Sequence, residues 1–158
     1  MTPVATTTGD RVGVETAQSI LERFYQAERR YMSSPPEARD FSELAISLSP
    51  EMILHQSPDM PCGGEYQGHA GFMKWSEGMA ACFDAMVVTN PVVLEKDDEY
   101  VVSSTLRLRF RQSGEEIVDP LIQMVKIDRE RGQIKEVRAF YWNVRGINEA
   151  IGRSRYGH

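Results

Sequence analysis

Between Glu15 and Met32 the apolar residues fall at Ala17, Ile20, Leu21, Phe24, Ala27 and Tyr31, the i, i+3, i+4, i+7 spacing that gives a helix one apolar face. Ser33-Ser34-Pro35-Pro36 ends that helix, because proline has no amide donor and restricts the residue before it. Phe41, Leu44, Ala45 and Leu48 repeat the helical spacing and predict a short second helix over about Glu37 to Leu48, closed by Pro50. Glu51 to His55 reads as a short strand. The loop Gln56 to Gly64 follows, its prolines and glycines marking irregular backbone, and Glu65 to Gln67 reads as a second brief strand. Gly68 then opens a third helix to about Phe83, with Phe72, Trp75, Met79 and Phe83 on one face.

The period then changes from helical to alternating. Ala85 to Leu94, Tyr100 to Arg111, Glu116 to Asp128 and Gln133 to Trp142 are strand candidates, separated by polar, turn-like stretches. In the second of these, Val102, Leu106, Leu108 and Phe110 alternate with Thr105, Arg107, Arg109 and Arg111, one apolar face against one polar face. Asn143 is placed to cap a last short helix, Val144 to Ile151. Strands grouped after helices imply an α+β fold with helices packed on one face of a mostly antiparallel sheet. If that sheet curves strongly, helices and sheet enclose a cone with an apolar interior pocket.

Composition narrows the reading. The chain has 158 residues, one domain's worth, with 41% hydrophobic and 26% charged residues, the balance of a globular protein. The expected organisation is a disordered tail at 1–14, one domain at 15–152 and a basic tail at 153–158. The formal charge of −5 argues against nucleic-acid binding, which rests on phosphate neutralisation. No apolar run approaches the roughly 20 residues of a membrane span. The polar, Thr-rich start lacks the apolar core of a secretory signal, so a cytoplasmic domain is expected. Cys62 and Cys82 are then read as reduced thiols. No His pair at i+4 and no C-x-x-C spacing occurs, so no metal site is expected.

Two stretches carry a family resemblance: His55-Gln-Ser-Pro-Asp-Met-Pro-Cys-Gly-Gly-Glu-Tyr-Gln-Gly68 and Ile134-Lys-Glu-Val-Arg-Ala-Phe-Tyr-Trp-Asn143. With the order of elements, they make residues Glu15 to Ile151 resemble the SnoaL-like branch of the nuclear transport factor 2-like superfamily. The resemblance implies a curved-sheet cone and often a homodimer through the outer sheet face. It also implies cofactor-free acid/base chemistry in an apolar pocket, as in polyketide cyclases, ketosteroid isomerases and scytalone dehydratase, although non-enzymatic members exist. Where relatives often carry Asp after Phe-Tyr-Trp, this chain has Asn143, which serves as a helix cap but not as an acid.

Candidate catalytic groups are His55, Glu136, Arg138, Asp119 and Tyr31. His55 ends a strand beside the Pro/Gly loop, and imidazole exchanges protons near neutrality. Glu136 and Arg138 share a strand face with Ile134, Phe140 and Trp142; they form either an acid/base pair in the pocket or an ion pair on the outer face. Asp119 shares a face with Leu121 and Gln123, and the adjacent Pro120 suggests a strand edge or bulge. Tyr31, on the stripe of the first helix, could polarise a carbonyl. Tyr66, Phe72, Trp75, Met79, Phe83, Gln123, Phe140 and Trp142 are the candidate substrate-binding residues, suited to a flat, apolar polycyclic molecule. The leading expectation is a cofactor-independent isomerase or cyclase of a secondary-metabolite intermediate, with dehydration also open. A non-catalytic binding module and an epoxide-opening hydrolase, drawing on Asp119, Glu136 and Arg138, remain alternatives.

Overall fold

The computed structural model of the chain describes residues 14–156, and the helices and strands follow in the expected order. The Thr16 hydroxyl caps α1 (Ala17–Ser33) by accepting the Ser19 amide at 3.1 Å, and Ser34, extended before two prolines, ends it. The second helix is shorter than its spacing implied. A 3-10 turn at Pro36–Ala38 precedes α2 (Ser42–Ser47), and the Asp40 carboxylate, accepting the Ser42 amide at 3.0 Å, forms the turn that separates them. β1 (Leu48–Gln56) begins where that helix was expected to end and runs through Pro50. The proline is tolerated because the ladder to the neighbouring strand is interrupted between Leu48 and Ile53.

β2 (Gly64–Gln67) turns into α3 (Gly68–Cys82) at Gly68, whose φ of +69° only glycine adopts readily. Four long strands follow: β3 (Phe83–Lys96), β4 (Glu99–Phe110), β5 (Glu116–Asp128) and β6 (Gln133–Tyr141). They join β1 and β2 in one six-stranded sheet of order β2-β1-β6-β5-β4-β3, antiparallel except for the parallel β1–β6 pair. Pro120 lies in β5 beyond the last residue paired with β6, so that stretch has a neighbour on one side only, the edge its presence suggested.

Burial alternates along the long strands as the sequence pattern requires. Tyr100, Val102, Leu106, Leu108 and Phe110 of β4 and Leu121, Val125 and Ile127 of β5 are buried on the concave face. α1 covers that face against β3, and α3 covers it against β1, with Phe24, Phe72 and Trp75 meeting edge-on or tilted between the two helices. One irregularity has large consequences. Ile127 pairs with Ile134 but Lys126 pairs with Glu136, so β6 carries one extra residue, Lys135. Such a bulge exchanges the faces of everything after it. Ile134 is therefore buried inside, Val137 and Ala139 also point inward, and Glu136, Arg138 and Phe140 point outward.

Asn143 caps α4 (Val144–Tyr156) by accepting the Gly146 amide at 2.9 Å. The helix runs past the expected stop at Ile151. The tail expected before residue 14, and the side chains of the basic tail expected at 153–158, lie outside the described residues.

Phe83 and Phe110, both fully buried with ring centroids 5.1 Å apart, close the sheet where β3 meets β4. Phe110→Ala should cost about 3–5 kcal/mol of unfolding free energy through lost burial and a residual cavity. Urea denaturation followed by far-UV circular dichroism measures it directly.

Candidate active site

The concave face and the two long helices enclose a narrow cavity. Its walls are apolar, with Phe24, Leu54, Phe72, Trp75, Val88 and Leu121 among them, and three polar side chains enter it: Glu28, Gln123 and Tyr141. The cavity volume is about 30 Å³, room for a water molecule and not for a ring system.

Glu28 is the feature that sequence reasoning missed. It stands four residues after Phe24 and three before Tyr31, on the apolar stripe of α1, so the same periodicity that buries its neighbours buries a carboxyl. No hydrogen bond to it is found among the described residues. Burial with no cation to offset it pushes its pKa up to about 8. At neutral pH it is mostly a neutral carboxylic acid, poised to give a proton and, slightly above neutrality, to take one. A charged residue on an apolar helical stripe was the signal available in the sequence.

Two tyrosines flank it, and both have their protons directed elsewhere. The Tyr25 hydroxyl donates to Gln123 Oε1 at 2.5 Å. The Tyr141 hydroxyl donates to Gln56 Oε1 at 2.9 Å, and Gln56 is held in that orientation because its amide nitrogen donates to the Pro61 carbonyl at 3.1 Å. Burial, followed by the nearby Glu28 carboxyl, pushes the pKa of each tyrosine well above the ordinary phenol value. Both therefore remain protonated across the working range, and Tyr141, the one of the two that lines the cavity, has its proton committed to Gln56. The donors left for a ligand are the Gln123 amide nitrogen, with no partner among the described residues, and the indole N–H of Trp75, buried and unpaired.

The expected site residues divide between two faces of the sheet. Phe72, Trp75 and Gln123 line the cavity. Asp119 lies on the same concave face, opposite Leu106 in the β4 register, with one carboxylate oxygen buried and unpaired. Met79 and Phe83 are core residues outside the cavity lining; Met79 sulfur contacts the Gln56 amide at 3.7 Å. Tyr31 packs against Phe41 and beneath Arg39, and the Tyr66 hydroxyl donates to the Cys62 carbonyl at 2.9 Å, so neither enters the cavity.

Glu136, Arg138, Phe140 and Trp142 are on the outer face, placed there by the β6 bulge, with Phe140 49% and Trp142 74% exposed. Tyr141, between those two aromatics, is the one that reaches the interior. His55 also points outward, its two ring nitrogens 3.5 Å from Glu65 and 3.6 Å from Glu136. The structure thus brings His55 and Glu136 together, but outside the apolar pocket. The carboxylate–arginine set of Asp119, Glu136 and Arg138 is not assembled, because Asp119 lies on the opposite face from the other two. Among the described residues, no group of three or more His, Cys, Asp or Glu is placed to hold a metal, and no helix is long and apolar enough to cross a membrane.

The profile of the family described as SnoaL-like domain matches residues 21–137. Among solved structures, the chain is similar to TerC crystallised with polyporic acid, at 17% identity and a TM-score of 0.68, over 84% of this chain and 95% of that one. It is similar to a candidate polyketide cyclase from Pseudomonas putida, at 18% identity and a TM-score of 0.65, over 85% and 97%. A nuclear transport factor 2-like protein of unknown function from Burkholderia pseudomallei matches at 16% identity and a TM-score of 0.67, over 83% and 94%. These likenesses establish the α+β cone. No curated protein matches the sequence significantly.

Glu28 should leave a mark on stability. Its folded pKa, raised to about 8, lies above the ordinary glutamate value, so the native state holds a proton that the unfolded state has released between those limits. Stability linked to Glu28 is therefore full below pH 4.5 and falls as pH rises toward 8, by about 1.4 kcal/mol per pH unit at most. Glu28→Gln should remove that slope. Urea midpoints for both proteins across pH 5 to 8.5 test it; parallel curves would mean that Glu28 titrates normally.

Proposed function

The chain belongs to the SnoaL-like domain family, and from that membership and a neutral carboxyl in an apolar cavity we propose a cofactor-independent acid/base isomerase or cyclase. The substrate we propose is an apolar, polycyclic natural-product intermediate. The observation that carries the reading is Glu28, an unpaired carboxyl whose pKa is raised to about 8 at the centre of an apolar wall. General acid/base groups work best when their pKa lies near the operating pH, and burial supplies that tuning here.

In this reading Glu28 passes a proton to or from the substrate's reacting carbon or oxygen. The Gln123 amide nitrogen and the Trp75 indole N–H hydrogen-bond the oxygen on which negative charge develops. Asp119 supplies a second carboxylate on the same face. The aromatic walls stack on the rings. Because the closed cavity holds only about 30 Å³, a ring system enters only as α1 and α3 separate. The polyporic acid complex of TerC and the candidate cyclase from Pseudomonas putida favour a small-molecule ligand of this kind.

We further propose a homodimer through the outer sheet face, where Val118, Ile122, Met124, Phe140 and Trp142 form an exposed apolar group. Light scattering should give twice the chain mass, falling to one chain mass for Trp142→Glu; a monomeric wild type would remove this expectation.

Native mass spectrometry against an extract of aromatic and terpenoid intermediates, followed by product analysis, tests the activity. A product of unchanged mass supports isomerisation or cyclisation, and loss of water supports dehydration. Once a substrate is identified, Glu28→Gln should lower turnover about 10²–10⁴-fold while the variant stays folded. Unimpaired turnover would remove Glu28 from the chemistry, and a ligand returned unchanged would favour the binding module.

A further inference from the structure

Away from the cavity, two thiols lie beside the last turns of α3. Cys62 lies in the loop between β1 and β2 and Cys82 is the last residue of α3; both are half-buried, and neither is in a disulfide. Cys62 reaches α3 at Gly78. A Cβ built on that glycine would stand 2.5 Å from the Cys62 sulfur, so the thiol fills the space a side chain at 78 would take. Gly78 and Cys82 are i and i+4 on one helix, and such positions stack on the same face with Cβ atoms about 5–6 Å apart. The Cys62 sulfur is therefore set on the stripe of α3 that carries Cys82 one turn on. A disulfide needs the two Cβ atoms at roughly 3.5–4.5 Å, and a shift of the loop along that stripe would have to supply that separation. Burial, followed by the charge of the Cys82 sulfur, pushes the Cys62 thiol up.

We propose that Cys62 and Cys82 form a dithiol modification site, oxidised by small disulfides of the glutathione class to an intramolecular disulfide. One protein thiolate attacks a sulfur of glutathione disulfide, releasing one glutathione and leaving a mixed disulfide. The second protein thiolate then attacks the protein sulfur of that mixed disulfide and releases the second glutathione. Two protein thiols are oxidised, one glutathione disulfide is reduced, and the two thiol protons end on the two glutathiones.

The bond would act on a segment with three other ties. The Cys62 carbonyl accepts from Tyr66, the Asp59 carbonyl accepts from Asn148 of α4 at 2.7 Å, and the Pro61 carbonyl holds Gln56. Through Gln56, the residue next to Cys62 sets the orientation of the Tyr141 hydroxyl. Oxidation therefore fastens to α3 the loop that orients a cavity residue.

The full chain, equilibrated in glutathione buffers from reducing to oxidising, tests the site. At the oxidising end the intact mass should fall by two hydrogen atoms, neither cysteine should alkylate, and peptide mapping should join 62 to 82. Closing the intervening loop should also raise the melting temperature by about 5–10 °C. Cys82→Ser should abolish all three changes. Gly78→Ala, whose methyl displaces the Cys62 sulfur, should shift oxidation to more oxidising buffers. Separate glutathione adducts on the two cysteines, disulfides between chains, or two alkylatable thiols at the oxidising end would each overturn the proposal.

Discussion

Everything in this molecule depends on how α1 lies across the concave face of the sheet. A curved sheet with one apolar face must be covered, and a single amphipathic helix covers most of it here, with α3 filling the remainder. Apolar burial supplies the attraction but not the register, because burial is non-directional. Register comes from polar ties at the N-terminal half of the helix. Arg23 donates to the Gly132 carbonyl at 2.7 Å, and Arg129 donates to the Glu15 carbonyl at 3.0 and 2.9 Å, so the helix start is pinned to the β5–β6 turn from both sides. Tyr25, bonded to Gln123 at 2.5 Å, pins its middle to β5. With those points fixed, helical geometry leaves position 28 nowhere but the cavity. The acid is placed by the same ties that place the core.

Much of this was legible in the sequence, and the failures share a cause. Period-3.6 and period-2 patterns located α1, α3 and the four long strands, and the Pro/Gly loop and the Asn143 cap were read where they stand. What pattern cannot report is a change of phase. Alternation grouped Ile134 with Glu136, Arg138, Phe140 and Trp142 on one face, which holds only in an unbroken strand. One extra residue at Lys135 separates Ile134 from the others and turns Tyr141 inward. The parallel pairing of β1 with β6 was hidden for a related reason, since partners distant in sequence leave no local trace. Glu28 was missed differently. The apolar stripe is defined by its hydrophobic members, which hides the charged residue among them, although a carboxyl at such a position is the exception that carries information.

The two buried tyrosines show how a cavity can hold hydroxyl groups without offering their protons. Had Tyr25 and Tyr141 pointed their O–H bonds at Glu28, they would have stabilised its carboxylate and lowered its pKa. Gln123 and Gln56 take up those protons instead, and the Pro61 carbonyl fixes one of the two amides so that it cannot reverse its role. Glu28 consequently faces desolvation with no compensating donor among the described residues, which is why its pKa rises to about 8. The amides act on the acid indirectly, through the orientation of hydroxyls, and their own distance from any reacting atom is immaterial to that effect.

A structural role for Glu28 is hard to sustain on energetic grounds. A buried carboxyl with no partner costs several kcal/mol relative to an apolar side chain of similar volume. Leucine or methionine at 28 would continue the α1 stripe from Phe24 to Tyr31 without that cost, and either forms helix about as readily as glutamate. The apolar part of the surrounding wall, Phe24, Leu54 and Phe72 among it, offers the carboxyl no hydrogen-bond partner. In the proposed function that cost is offset when a ligand exchanges a proton or a hydrogen bond with the carboxyl. Groups that destabilise a fold while sitting at the centre of its enclosed space are where stability has been given up for chemistry. On the outer face, by contrast, His55 and Glu136 meet beside Glu65 and Lys126, where neighbouring charges and solvent satisfy each group and no comparable cost is carried. On the inner face the Trp75 indole N–H and one Asp119 oxygen are buried without partners among the described residues, and the proposed chemistry rests on that difference between the two faces.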